Sequence, residues 1–206
     1  MYFDSTGENF DGFAHMDIAS VEVTDNGTDI TFKITLSGSL AFPNDWGKYV
    51  IGIDTNPATG DFGAPVGNPW GRNINMADGM DAWIGSWADS GGGFQAWTYS
   101  SGSWNLNHSG TPVLSGNMTT ITTSLASLGL SQNQTIQFDV YTTGGFGGDS
   151  ANDAAANPNQ TTTGWSGPYT TPSGRGLFYT TTPEPASVML LGLAMVGLLG
   201  YGRRRR

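Results

Sequence analysis

Trp83 and Trp87 stand four residues apart with Gly85 between them, in a stretch from Met80 to Trp87 whose residue types suit a β-strand. Side chains alternate along a strand, so the two indoles share one face at roughly 13 Å, and Asp81 falls on that face too. Trp97 and Tyr99 alternate in the same way on the next expected strand. Aromatic rings beside a carboxylate or amide are the chemistry of a sugar site. The ring covers the apolar C–H face of a pyranose, while the polar group takes hydroxyl hydrogen bonds. Gly85 leaves a gap in which such a sugar could sit. Tryptophan is equally a good strand former and core filler, so the pair reads either as core or as a ligand platform. The loop tryptophans Trp46, Trp70 and Trp104 are more open candidates, and Trp70-Gly71-Arg72-Asn73 is the most sugar-like in chemistry. The candidate polysaccharide contacts are therefore Trp70, Arg72, Asp81, Trp83, Trp87 and Trp97.

A hard cation is the second chemistry on offer. Asp54, Asn56 and Asp61 could present oxygens from one loop, and Asp149, Asn152 and Asp153 from another. Calcium takes roughly six to eight such ligands. Neither loop has EF-hand spacing. Structural Ca2+ is expected mainly because an acidic chain without cysteine has few other staples.

Catalysis is not expected. Glutamate occurs only at Glu8, Glu22 and Glu184, so the Glu-x-Asp-x-x-Glu arrangement of jelly-roll glycosidases is absent. A hydrolase would have to use two aspartates about 5 to 10 Å apart. There is no Gly-x-Ser-x-Gly elbow, phosphate-binding glycine loop, cysteine nucleophile or His-x-x-x-His, and the two histidines, His15 and His108, are too few for a typical His-rich metal centre.

These residues need a scaffold, and the pattern around them is period two. Asp17 to Val23, a turn at Asp25-Asn26-Gly27 and Asp29 to Leu36 read as a β-hairpin with one wet face. Lys48 to Asp54 has apolar residues on both faces and reads as a central strand. Further strands are expected at Met80 to Trp87, Gly93 to Tyr99, Met118 to Ser124, Thr135 to Thr142 and, more weakly, Gly176 to Thr180. A short helical turn is expected at Ser124 to Leu130. Gly144 to Ser173 shows no periodicity, which points to a functional loop or an excursion packed over the body through Trp165 and Tyr169. Short strands divided by Gly, Pro, Asn and Asp predict an all-β, antiparallel β-sandwich of jelly-roll or immunoglobulin-like kind.

Half of the eight basic residues are Arg203 to Arg206, and without them the balance is 17 acidic against 4 basic, or −13. Such a surface repels phosphate backbones, which excludes nucleic acid as a partner. Export leads one to expect a charged, then apolar, N-terminal signal peptide. Met1 to Gly7 has no such pattern, so the true start is expected upstream.

The C-terminal stretch reads as an address. Pro183-Glu184-Pro185 disfavours helix and leaves an accessible segment. A charge-free run follows to Tyr201, counted from Ala186 as about 16 residues or about 24 Å of helix, a little short of a bilayer core of roughly 30 Å. Arg203, Arg204, Arg205 and Arg206 then fix the cytoplasmic side. This tripartite pattern closely resembles the PEP-CTERM sorting signal of exported bacterial proteins. The resemblance implies recognition by an exosortase-type transpeptidase, an inner-membrane intermediate held by a helix over 187–201, cleavage near Pro-Glu-Pro, and delivery to the envelope or extracellular matrix. The expected division is a sandwich over 1–179, a polar linker at 180–182 and the sorting signal at 183–206.

The body carries a looser likeness. Gly12 to Ile18, Val21-Glu22-Val23, Thr28 to Leu36 and Tyr49 to Asp54 resemble the first strands of DOMON-like and family-9 carbohydrate-binding β-sandwiches, and Ser124 to Leu130 before a strand fits the same architecture. Those relatives bind sugars, haem or no identified ligand. The expectation is a non-catalytic surface protein that binds carbohydrate, with a purely structural matrix protein as the alternative and an Asp-dependent glycan hydrolase behind both.

Overall fold

The computed structural model describes residues 1–40, 45–57, 65–157, 159 and 162–183. In chain order its strands are β1 (Tyr2–Phe3), β2 (Ile18–Asp25), β3 (Asp29–Leu36), β4 (Lys48–Asp54), β5 (Ile74–Met76), β6 (Ala82–Trp87) and β7 (Gly93–Ser100). There follow β8 (Ser103–Gly110), β9 (Val113–Ser115), β10 (Met118–Ser124), β11 (Thr135–Thr143), β12 (Ala151–Ala154), β13 (Tyr169–Thr171) and β14 (Leu177–Thr180). Helix among the described residues is limited to three single 3-10 turns, one of them at Ala126–Leu128 where the period-two pattern lapses.

The expected hairpin forms for the expected reasons. Along β3 buried Ile30, Phe32, Ile34 and Leu36 alternate with Asp29, Thr31, Lys33 and Thr35, as a strand with one wet face requires. In the turn, Asp25 Oδ1 accepts the Gly27 N–H at 2.9 Å and Asn26 Oδ1 accepts those of Thr28 and Asp29 at 2.9 and 2.7 Å. These are local bonds that Asp and Asn make readily in turns.

Two antiparallel sheets result. One has the order β1-β2-β3-β10-β9, the other β12-β11-β4-β6-β7-β8. β14 pairs with Thr135 to Phe138 of β11, and β12 with Tyr141 to Thr143, so both lie on the edge of β11 away from β4. A single apolar cluster contains residues of both sheets, among them Ile30, Phe32, Ile51, Ile84 and Phe138. Phe32 meets Phe138 edge to face across it, with ring centroids 5.7 Å apart.

A third layer is present, to which the stretch expected as an excursion packed over the body contributes Tyr169. β5 and β13 pair in parallel and lie, with their flanking loops, over the other face of the larger sheet. There Val50, Ile74, Met76, Met80, Trp83, Tyr141 and Tyr169 form a second buried cluster. Glycines in two strands make room for it. A Cβ on Gly52 would fall 2.6 Å from Met80 Sδ, and one on Gly85 would fall 2.2 Å from the Trp70 ring. The stretch from Gly144 to Ser173 thus contains two strands, β12 and β13, and supplies part of this cover.

Residues 180–182, expected as a polar linker, bond to the body. Thr181 is buried, its N–H donates to the Gln134 carbonyl at 2.9 Å, and Thr182 N–H reaches the Asp25 carboxylate at 3.0 Å. The reason is that β14 extends the sheet to Thr180 and the next two threonines keep satisfying backbone and side-chain partners. The expected membrane helix over 187–201 lies outside the described residues.

Candidate functional site

Of the six expected sugar contacts, Trp70, Arg72, Trp83, Trp87 and Trp97 converge on the outer face of the larger sheet, but they do not form an open platform. Trp83 is 0% exposed and lies in the second buried cluster. The gap at Gly85 is filled by the chain's own Trp70. The Trp70 indole lies against the Gly85 backbone, donates from Nε1 to Gln95 Oε1 at 3.0 Å, and stands 6.1 Å from the Trp87 ring. Arg72 caps it, its guanidinium carbon 5.6 Å from the ring centroid, a cation–π arrangement. A pyranose therefore has no place between Trp83 and Trp87. Trp97 pairs with Trp83 across the strands and is half-buried. Asp81 is used structurally. Its Oδ2 accepts the Thr55 N–H at 2.8 Å and hydroxyl at 2.7 Å, which holds the turn that follows β4.

Open aromatic surface lies instead at the end of that face where the cover stops. Trp46, Lys48, Asp89, Gly144, Gly145, Phe146, Asp149 and Trp165 line a cleft of about 580 Å³. Trp46 immediately precedes β4 and Lys48 begins it. Asp89 opens the 3-10 turn after β6, residues 144–150 connect β11 to β12, and Trp165 leads towards β13. The Trp46 and Trp165 rings meet edge to face at 5.4 Å, backed by Phe13 at 5.9 Å from Trp46 and Phe10 at 4.7 Å from Trp165. Trp46 is 38% exposed and Phe146, at the tip of its loop, 81%. Among these rings sit charges held in place: Lys48 Nζ is 3.1 Å from Asp89 Oδ1 and donates to the Trp46 carbonyl at 2.8 Å, and Asp149 Oδ2 accepts the Phe146 N–H at 2.8 Å. Rigid exposed rings with fixed donors and acceptors can stack on and hydrogen-bond a polar, flat-faced ligand. Composition marked Trp46 as an open loop residue and Trp165 as packing. Lys48, Asp89 and Phe146 carried no signal, because four separate segments assemble the cleft.

The expected cation ligands are dispersed. Asp54 Oδ1 accepts the Asn56 N–H at 2.8 Å in a local turn. Burial, with Asp81 and Asp78 adding repulsion, pushes the Asp54 carboxyl up to about 6. Asp61 lies outside the described residues, and Asp149 belongs to the cleft. Asp153, fully buried on β12, meets two residues from the other end of the chain: its carboxylate, that of Asp4 and that of Glu8 lie within 4.8 Å of one another. Burial and then Glu8 raise Asp4 to about 7, and burial followed by Asp4 and Glu8 raises Asp153 to about 8. Asp4 and Glu8 were invisible to local spacing, since about 145 residues of chain separate them from Asp153.

Residues 181–206 match the family described as the PEP-CTERM protein-sorting motif. The chain therefore carries the signal of an exported protein sorted by exosortase to the cell envelope or beyond it, through a membrane-anchored intermediate. Of the signal's expected residues, Pro183 is described, directly after the Thr182–Asp25 contact. Glu184, Pro185 and Arg203 to Arg206 lie outside the described residues. No curated protein and no solved structure matches the chain, so the likeness of the body to DOMON-like and family-9 carbohydrate-binding sandwiches gains no support from them.

Proposed function

We propose that the all-β body is a β-sandwich displayed at the cell surface, and that it binds carbohydrate non-catalytically in the Trp46–Trp165 cleft. The observation that carries this reading is the pairing of exposed rings with immobilised charges in one cleft of about 580 Å³. Its size lies within the usual range for small-ligand sites, roughly 300–1,000 Å³. The acidic body and the sorting signal both suit a protein working among surface polysaccharides. Burial of Trp83 and the filled gap at Gly85 favour the alternative, a matrix protein without a ligand, over a strand-borne platform.

The test uses the full chain in micelles of a non-glycosidic detergent, titrated with neutral and acidic polysaccharides while tryptophan emission is followed. Saturable quenching that is lost in Trp46→Ala and Trp165→Ala and kept in Trp87→Ala is the expected result. A flat response to every polysaccharide leaves the structural matrix protein, and the release of new reducing ends would show hydrolysis instead.

A further inference from the structure

The carboxylates of Asp4, Glu8 and Asp153 gather where the open edges of the two sheets meet. Asp153 belongs to β12, the edge strand of the larger sheet. Asp4 follows β1, the edge strand of the smaller sheet, and Glu8 lies on the segment leading from it towards β2. That segment is docked on β12, where the Asp11 N–H reaches Asn152 Oδ1 at 3.3 Å and the Ile18 N–H reaches Asp153 Oδ2 at 2.5 Å. The docking holds like charges together. Among the described residues the ion pairs are His15–Asp45, Lys33–Glu22 and Lys48–Asp89, so no basic side chain reaches the cluster.

A fourth carboxylate makes the arrangement more than an acidic surface. Asp17 is 4% exposed. Its Oδ2 is anchored by the Gly7 N–H at 3.0 Å and the Ser37 hydroxyl at 2.6 Å, while its Oδ1 is buried without a hydrogen-bond partner. The Gly7 bond sets the carboxylate beside the chain at Glu8, and its charge acts on both Asp4 and Glu8. Asp4 Oδ2 and both Glu8 oxygens are likewise buried without a hydrogen-bond partner. Buried carboxylate oxygens are normally satisfied by N–H, O–H or a cation. Here the unsatisfied ones share a neighbourhood, and they are all hard oxygen donors.

We infer that Asp4, Glu8 and Asp153, with the buried Asp17 carboxylate beside them, form a calcium site that staples the N-terminal segment to β12 and so closes one edge between the sheets. Glu8 offers two oxygens and Asp4 and Asp153 one each, with water completing a shell of roughly six to eight. Three carboxylates around one divalent ion, with a fourth negative charge beside them, suit calcium, which tolerates an irregular shell. Magnesium demands near-octahedral geometry and gives up its water reluctantly. The ion would do for this cysteine-free chain what a disulfide does for others, in the cell envelope or beyond it, where the sorting signal sends the chain.

The test is calorimetric titration of the full chain in detergent micelles, freed of metal by chelator and dialysis, with calcium chloride and in parallel with magnesium chloride. One calcium per chain is expected, with a Kd of roughly 1 mM or tighter, as in extracellular modules. Glu8→Gln and Asp4→Asn, both at partly exposed positions and checked for folding by circular dichroism, should each weaken it by about tenfold or more, since each removes a ligand charge. Glu22→Gln, which lies in the Lys33 pair, should leave it unchanged. The assignment is overturned if the folded parent takes up no calcium at 10 times that Kd, if both variants bind as the parent does, or if magnesium binds equally well.

Discussion

The two faces of the seven-stranded sheet are both covered along its central strands β11, β4 and β6, but by different means. The inner face packs Ile51, Ile53, Ile84, Phe94, Phe138 and Val140 against the smaller sheet in an apolar cluster. The outer face lies under loops and two short strands, and mixes Trp83, Met76, Met80 and Tyr141 with Asp139, Thr171 and Tyr169. A second sheet covers a whole face at once. A layer of loops covers it piecewise and must be tied down by polar contacts, and where it ends rings remain open to solvent. The Trp46–Trp165 cleft is that end. Tryptophans on one face of one sheet are thus core under the cover and candidate ligand contacts beyond it.

The sharpest way to break this distinction is to truncate one indole from each side of it. Trp83→Ala should lower the unfolding free energy by about 3–5 kcal/mol, the usual cost of emptying a large aromatic site in a core. Trp46→Ala, which loses edge contacts to Trp165, Phe13 and His15 but was already 38% exposed, should cost less than about 1.5 kcal/mol and act on binding instead. Denaturant unfolding of both variants reads the difference. Equal losses would mean that the cleft is a closed part of the core.

A smaller effect tests how tightly the cover sits. Gly85→Ala introduces a Cβ 2.2 Å from the Trp70 ring, so Trp70 must move off the sheet and take the Gln95 bond with it. The expected cost is about 1–3 kcal/mol, as for other overpacked sites. Gly145→Ala, in the cleft, meets only the Trp46 carbonyl at 3.9 Å and should change stability by less than about 0.5 kcal/mol. A silent Gly85→Ala would show that Trp70 is a mobile lid.

The strand signals that sequence carries are those of the inner face. The pattern of strand-type residues located β2, β3, β6, β7, β10, β11 and β14, and β4 as a run apolar on both faces, because each meets a continuous apolar layer on at least one face. It passed over β8, whose residues are mostly exposed, and β5, β12 and β13, which are only three or four residues long. It placed Trp83, Gly85 and Trp87 correctly on one face. What it could not register was Trp70 folding back over Gly85, since that contact depends on the path of a loop. The cleft and the carboxylate cluster share this property: Trp46 with Trp165, and Asp4 with Asp153, are neighbours through topology alone. The sorting signal is the opposite case, since its meaning lies in consecutive residues that an enzyme reads as a segment.

The finest difference between the faces is electrostatic. Asp139, on the outer face and 0% exposed, accepts the Thr171 hydroxyl at 2.6 Å and the N–H groups of Val140 and Ala156 at 2.8 and 2.9 Å. Burial outweighs these bonds and raises its carboxyl to about 7 from an ordinary 3.8. Between those values the folded chain holds a proton that the unfolded chain releases. The contribution of Asp139 is therefore fully present below about pH 4 and is lost as pH rises through about 7. From pH 6 to pH 7 this one group should remove less than about 1.4 kcal/mol, the ceiling for a single proton per pH unit. Asp139→Asn mimics the protonated form: its amide oxygen still accepts the two N–H groups, while its NH2 donates to Thr171, whose hydroxyl can turn to Tyr141. The Asp139 charge also helps to raise Asp4, so both parent and Asp139→Asn carry Asp4→Asn, and Asp153 titrates in each; the difference between them then isolates residue 139. The variant should show the shallower fall of stability between pH 5 and pH 7, whereas Ile84→Val on the inner face should cost roughly 0.5–1.5 kcal/mol equally at every pH. Parallel pH profiles for parent and Asp139→Asn would mean that the outer layer lets water reach the carboxylate, and that the two faces are not sealed alike.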